Sequence, residues 1–173
     1  MCRIVVLSLV LMLTSLCVRA DYFNTARTEK IFGIFLTESV QIEEVHVHSN
    51  AFGFWPQTFE QITEYLNVNN NRLLPVMKIN HFLMNGETGI YHDDVSGIIA
   101  AIEKSELHGR DILFSMDEPM WKVRIECLLR NKTAACDEVN NRYAQTLVTL
   151  NRAVQTLRQR FPGSGIMHLE AWI

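Results

Sequence analysis

Asp117-Glu118-Pro119 is the sharpest chemical feature of the sequence: two adjacent carboxylates directly after the apolar run Asp111-Ile112-Leu113-Phe114-Ser115-Met116. The proline that follows cannot donate to a sheet ladder, so it ends the strand and fixes where the chain leaves. A carboxyl group partly buried beside a second carboxylate holds its proton more tightly than in water, as a general acid needs. Glu118 is the candidate proton donor and Asp117 its electrostatic partner. Trp121, just beyond, offers a flat apolar face on which a sugar ring could stack. The plainer alternative is a solvated acidic turn that only closes a strand.

A rival chemistry starts from His46-Val47-His48. Alternate residues of a strand point the same way, so both imidazoles could reach one metal ion. Two alternating histidines also suit the polar face of a half-exposed strand. Asn80 and His81, and Glu170 and Trp172, follow other apolar runs and are candidate substrate contacts. No Gly-x-Ser-x-Gly elbow is present, and Gly86 and Gly89 lack the spacing of a phosphate cradle. No cofactor is expected.

These residues need elements to aim them. Ile31–Leu36 and Val45–His48 read as strands, with Asn50 to Pro56 as the second strand's exit loop. A helix starting at Pro56 puts Phe59, Ile62, Tyr65 and Leu66 on one face, until the run Asn67–Asn71 breaks it. Leu73–Ile79 reads as a strand and Asn85 to Gly89 as a loop. Asp93 or Asp94 caps a helix striped by Val95, Ile98, Ile99 and Ile102 and ending near Gly109. After the strand Asp111–Met116, the spacing of Val139, Tyr143, Leu147, Leu150, Val154, Leu157 and Phe161 predicts one long helix. Pro162-Gly163 stops it, and Gly165–Ile173 reads as a last strand.

From Val45 onward strands and helices alternate, which predicts an α/β fold of parallel βα repeats. One irregularity is that only Val40 to Glu44 separates the first two strands, too short for a crossover helix. Those two strands must form a hairpin or be misplaced. In such folds reactive groups gather where strands end, because a rigid sheet aims them. Thr37 and Glu38, His46 and His48 with Asn50, Asn80 and His81, Asp117 and Glu118, and His168 and Glu170 all fall at expected strand exits.

The stretch Leu73 to Trp121 resembles the third-to-fourth strand region of glycoside hydrolase-like (β/α)8 barrels. In the large retaining clan of that superfamily the fourth strand ends in Asn-Glu-Pro, and its Glu is the acid/base. The resemblance implies that role for Glu118, with Pro119 matching and Asp117 standing where the family has Asn. The motif is three residues long. A full barrel takes about 250 residues, and this chain reaches only the fourth or fifth strand, so a partial, truncated TIM-barrel-like domain is expected. The clan's seventh-strand nucleophile has no counterpart here. Either the chain is a fragment, or it closes by association, or another carboxylate such as Glu170 substitutes, although Glu170 and Trp172 also read as a plain strand end. Retaining chemistry would place the two carboxyls about 5–5.5 Å apart, inverting chemistry about 6.5–9.5 Å. His46 and His48 resemble the His-x-His of amidohydrolase-like metal barrels, although the Asp that precedes that pair is lacking. The resemblances thus imply a glycosidase acting on a carbohydrate, with a metal-dependent hydrolase or a non-catalytic carbohydrate-binding remnant as alternatives. Self-association could complete an incomplete barrel.

Residues 1–20 read as an export signal: no acidic residue, Arg3 early, an apolar run from Ile4 to Leu13, and small residues at Val18 and Ala20 for cleavage. The apolar core is too short to span roughly 30 Å of hydrocarbon. Residues 21–173 then form one domain, secreted or periplasmic. Cys2 and Cys17 leave with the signal, and Cys127 and Cys136 are expected to form a disulfide. The net charge of −3 becomes more acidic once Arg3 and Arg19 are removed. Nucleic acid, and a membrane after signal removal, are therefore poor partners.

Overall fold

The computed structural model describes residues 33–42, 48–70, 72–105, 111–141 and 143–169. Strand β1 is Gly33–Leu36, followed by a 3-10 turn at Ser39–Gln41, then β2 at Ala51–Phe54 and helix α1 at Phe59–Asn69. β3 is Leu74–Lys78 and runs into a single helical turn, α2, at Asn80–Leu83. Helix α3 is Ser96–Lys104, β4 is Leu113–Asp117, α4 is Pro119–Leu128, α5 is Thr133–Asn140, α6 is Ala144–Arg160 and β5 is Gly165–Leu169.

The five strands make one sheet in the order β1-β2-β3-β4-β5, and every neighbouring pair is parallel. A strand order that never reverses has no topological switch point, so right-handed crossovers carry every helix to the same face. The packing follows this rule. Phe52, Phe54, Met77, Ile79, Phe114 and Met116 share one core with Ile62 and Leu66 of α1, Ile98 and Ile102 of α3, Val123 of α4, Ala135 of α5 and Leu157 of α6.

The other face is lined differently. Ala51, Leu74, Val76 and Leu113 form a separate apolar cluster, with Met167 against it. One row of the register, Phe35-Gly53-Val76-Leu113-Gly165, sets a glycine beside a large side chain at each end. A Cβ on Gly53 would lie 2.8 Å from the Phe35 ring, and one on Gly165 would lie 2.5 Å from Leu113 Cδ2. The period of two puts Lys78 on this face with Val76, and Asp117 on it with Leu113 and Ser115.

Several expectations are corrected. Ala51–Phe54, expected in a loop, is the second strand and is buried throughout. Its neighbours explain the misreading: Asn50, Gly53 and Pro56 look like loop residues, but Gly53 is there to admit the Phe35 ring. His48 lies in an exposed turn before β2, not on a strand, and residues 43–47, including His46, lie outside the described residues. The interval between β1 and β2 is thus longer than expected, and the two strands pair in parallel, not as a hairpin.

The helix predicted across Val139 to Phe161 is two helices, α5 and α6, with a break at Asn141–Tyr143. Tyr143 has φ +63°, which no helix interior tolerates. The buried Glu138 carboxylate then accepts from Thr146 N at 2.9 Å and Thr146 Oγ1 at 3.0 Å, so the end of α5 caps the first turn of α6. The segment around the cysteines is also helical. The Cys127–Cys136 disulfide ties the end of α4 to α5. The export segment 1–20 and the end of the last predicted strand, with Glu170 and Trp172, lie outside the described residues. Among the described residues no helix is long and apolar enough to cross a membrane.

Candidate functional site

The exits of β2, β3 and β4 converge on one ion pair. Lys78 ends an otherwise apolar strand, and its Nζ lies 2.6 Å from Asp117 Oδ2. The Lys78 side chain is 11% exposed and that of Asp117 33%. Lys122, on the first turn of α4, reaches to 4.0 Å from the same oxygen. Lys78 Nζ also sits 4.0 Å from the centroid of the Trp55 ring, a cation–π contact. Trp55 follows β2 directly and remains 49% exposed.

Asn80 fixes this arrangement. It opens α2 and is buried. Its Oδ1 accepts from Asp117 N at 2.8 Å, and its Nδ2 donates to the Asp117 carbonyl at 2.9 Å. The side-chain amide behaves as one more peptide of β3, continuing the ladder to β4 after the β3 backbone has turned into α2. The same Nδ2 donates to the Tyr91 hydroxyl at 3.1 Å.

With Asp117 held on both sides of its backbone, the next residue takes up the change of direction. Glu118 adopts φ 49°, ψ 50°, the left-handed region, and is the N-cap of α4 with Pro119 at the first helical position. A non-glycine residue there costs roughly 1–2 kcal/mol. Such strain persists where the surroundings over-determine it, and it clusters at functional sites. Glu118 is partly exposed at this strand exit.

His81 closes the cluster on the β2 side. Its Nδ1 accepts from Trp55 Nε1 at 3.1 Å, and its ring packs on Phe82 at 3.9 Å between centroids. Phe82 in turn stacks on Phe59 at 4.8 Å. An indole N–H is a donor only, so Nδ1 must be unprotonated and the ring proton resides on Nε2. Nε2 is buried without a well-formed hydrogen bond. Burial holds the His81 pKa below the ordinary histidine value; the Pro56 carbonyl opposes this, and Lys78 adds to the lowering.

Of the residues singled out in the sequence, Asn80, His81, Asp117 and Glu118 come together. Asn80 was expected to touch substrate, but it is buried and its amide is spent on Asp117 and Tyr91, so it is a positioning residue. Asp117 is paired with Lys78 instead of standing as an uncompensated neighbour of Glu118. Trp121 lies on α4 under the Arg124 guanidinium, 5.7 Å from its ring centroid. His48 precedes β2, at the opposite end of that strand from the mouth. Among the described residues no trio of His, Cys, Asp or Glu is placed to hold a metal.

Against protein-family models, curated proteins and solved structures, the chain finds no match. Function must therefore be argued from the site itself. Sequence reasoning missed Lys78 and Trp55. A lysine closing an apolar strand just before Asn80, and a tryptophan directly after Phe52-Gly53-Phe54, were the available signals.

The chemistry on offer is specific. A carboxylate on a rigid, strained strand exit can give or take a proton. The exposed Trp55 indole over Lys78 supplies a flat apolar surface, and the Lys78–Asp117 pair supplies fixed polar groups for hydroxyls.

Proposed function

We propose that the chain is an exported, carbohydrate-directed protein of partial (β/α)8-barrel type, in which Glu118 is the proton donor for cleavage of a glycosidic bond. The observation that carries this reading is the backbone of Glu118: a carboxylate-bearing residue occupies a costly left-handed conformation at the exit of β4. The sequential all-parallel sheet, with helices on one face and interdigitated small and large residues on the other, supports the barrel side of the proposal. The Cys127–Cys136 disulfide supports export. Trp55 is the saccharide platform, and Lys78 and Asp117 are the groups that fix its hydroxyls.

The test is hydrolysis of a panel of aryl glycosides and natural oligosaccharides by the full chain and by E118Q. General acid catalysis contributes typically 10²–10⁴-fold, so E118Q should lose at least a hundredfold in rate while its melting temperature stays within a few degrees. Equal rates in both proteins would remove Glu118 from the chemistry.

The pairing of Asp117 with Lys78 favours a second reading, saccharide binding without cleavage. Glycosidases of either stereochemistry use two carboxyl groups, and here one of the adjacent pair is engaged by a cation. Saccharide binding that depends on Trp55, with no hydrolysis by the full chain, would decide for this reading.

A further inference from the structure

The contact between His81 and Trp55 deepens the proposed site, because it couples the saccharide platform to a proton. Trp55 Nε1 has one hydrogen-bond acceptor in the cluster, His81 Nδ1 at 3.1 Å. That nitrogen accepts only while the imidazole is neutral, since both ring nitrogens of a protonated histidine are donors. Protonation therefore places two N–H groups head to head and breaks the bond. It also adds a positive charge beside Lys78, whose ammonium already lies 4.0 Å from the indole centroid.

We propose that His81 is a pH-dependent latch on Trp55: the neutral imidazole holds the indole at the mouth of the strand exits, and the protonated imidazole releases it. Of the charged groups around the latch, Lys78 is the one that acts on His81. Lys78 of β3 faces His81 and opposes its protonation. Asp117 of β4 is 2.6 Å from Lys78 Nζ and therefore committed to that ammonium, and Lys122 of α4 stands behind Asp117 at 4.0 Å. The exit of β2 brings Trp55 and Pro56, α1 brings Phe59 through its stack on Phe82, and none of these titrates. Burial of the imidazole lowers its pKa below 6.5, so the latch is closed at neutral pH and opens in acid. This inference rests on the proposed reading only for what the platform binds; the latch itself requires no saccharide.

The experiment is a pH titration of the full chain followed by ¹H–¹⁵N NMR of the indole N–H groups, with W55F assigning the Trp55 resonance and ring-carbon shifts reporting His81. The Trp55 indole resonance should move in a single transition whose midpoint matches that of the His81 ring and lies below 6.5. In H81F it should sit at its acid position throughout. An indole resonance that stays fixed while His81 titrates overturns the latch, as does a His81 that remains neutral until the chain unfolds. Both measurements on the unsubstituted chain decide the matter even where H81F does not fold. Saccharide affinity should fall through the same transition. A latch without saccharide binding would overturn only the proposed function, and saccharide binding without the coupled transition only the latch.

Discussion

Replacing Asn80 with alanine should be far more damaging than its position in a strand-exit loop suggests. The side chain is 2% exposed and makes three hydrogen bonds, at 2.8 Å and 2.9 Å to the Asp117 backbone and 3.1 Å to the Tyr91 hydroxyl. In N80A the Asp117 N–H and carbonyl lose their partners inside a partly buried exit. Each orphaned group costs about 1–3 kcal/mol, less where water can enter, so roughly 2–4 kcal/mol of stability should be lost. For a chain of this size 1 kcal/mol corresponds to about 2–4 °C in Tm, so N80A should melt about 4–16 °C lower. N80D adds a directional check. It keeps an acceptor for Asp117 N–H but turns a carboxylate oxygen toward the Asp117 carbonyl, so it should be at least as unstable as N80A at pH 7 and recover in part when acidified. Thermal unfolding followed by near-UV circular dichroism measures both. A Tm for N80A within 2 °C of the unsubstituted chain would refute the clamp, and with it the stated reason that Glu118 is held in its strained conformation.

Three further outcomes are expected. Glycine at position 118 removes roughly 1–2 kcal/mol of left-handed strain and returns about 0.5–1 kcal/mol through the freer unfolded chain, so E118G should match or slightly exceed the Tm of the unsubstituted protein while losing any glycoside cleavage; a clear drop in Tm would contradict the strain. Replacing Cys127 and Cys136 together with serine opens a closed loop of nine residues' separation and should cost about 2.7 kcal/mol on the chain-entropy model, read as a lower urea midpoint with an unchanged or larger m-value. Because the His81 pKa is lowered in the folded chain, the unfolded chain binds the proton first as pH falls; the contribution of His81 to stability is therefore complete above the ordinary value of 6.5 and is lost as pH falls from there through the folded pKa. Tm against pH should slope downward in that window for the unsubstituted chain and flatten in H81F.

The parts of the fold legible in the sequence were those whose hydrophobic period is unambiguous. β3 and β4 are short apolar runs ending in polar exits, and α1 and α3 carry their apolar stripes where the spacing predicted. β2 was misplaced because Val45-His46-Val47-His48 alternates like a strand, while Ala51-Phe52-Gly53-Phe54 looks like a loop until the Phe35 ring is seen to need Gly53. The turn α2 is too short for any period to show. The break between α5 and α6 is invisible to a stripe of Val139, Tyr143 and Leu147, because it depends on the long-range cap from Glu138 and on a tyrosine with positive φ.

For the site, exit residues were legible as a class and their roles were not. Asp117 read as the electrostatic partner of Glu118, and Asn80 as a substrate contact. The identity of their partners, Lys78 for the one and the Asp117 backbone for the other, is a matter of register between strands that sequence spacing does not encode. Trp55 was passed over for Trp121 because the latter is closer to Asp117-Glu118-Pro119 in the chain, whereas the parallel sheet brings the exit of β2 beside that of β3.

The most direct measurement is a crystal structure of the E118Q full chain with a bound oligosaccharide. A sugar ring against Trp55, with a glycosidic oxygen within about 3 Å of the side chain at position 118, is the predicted result. An oligosaccharide seated on the helix-covered face of the sheet, or bound with position 118 turned away from it, would contradict the account.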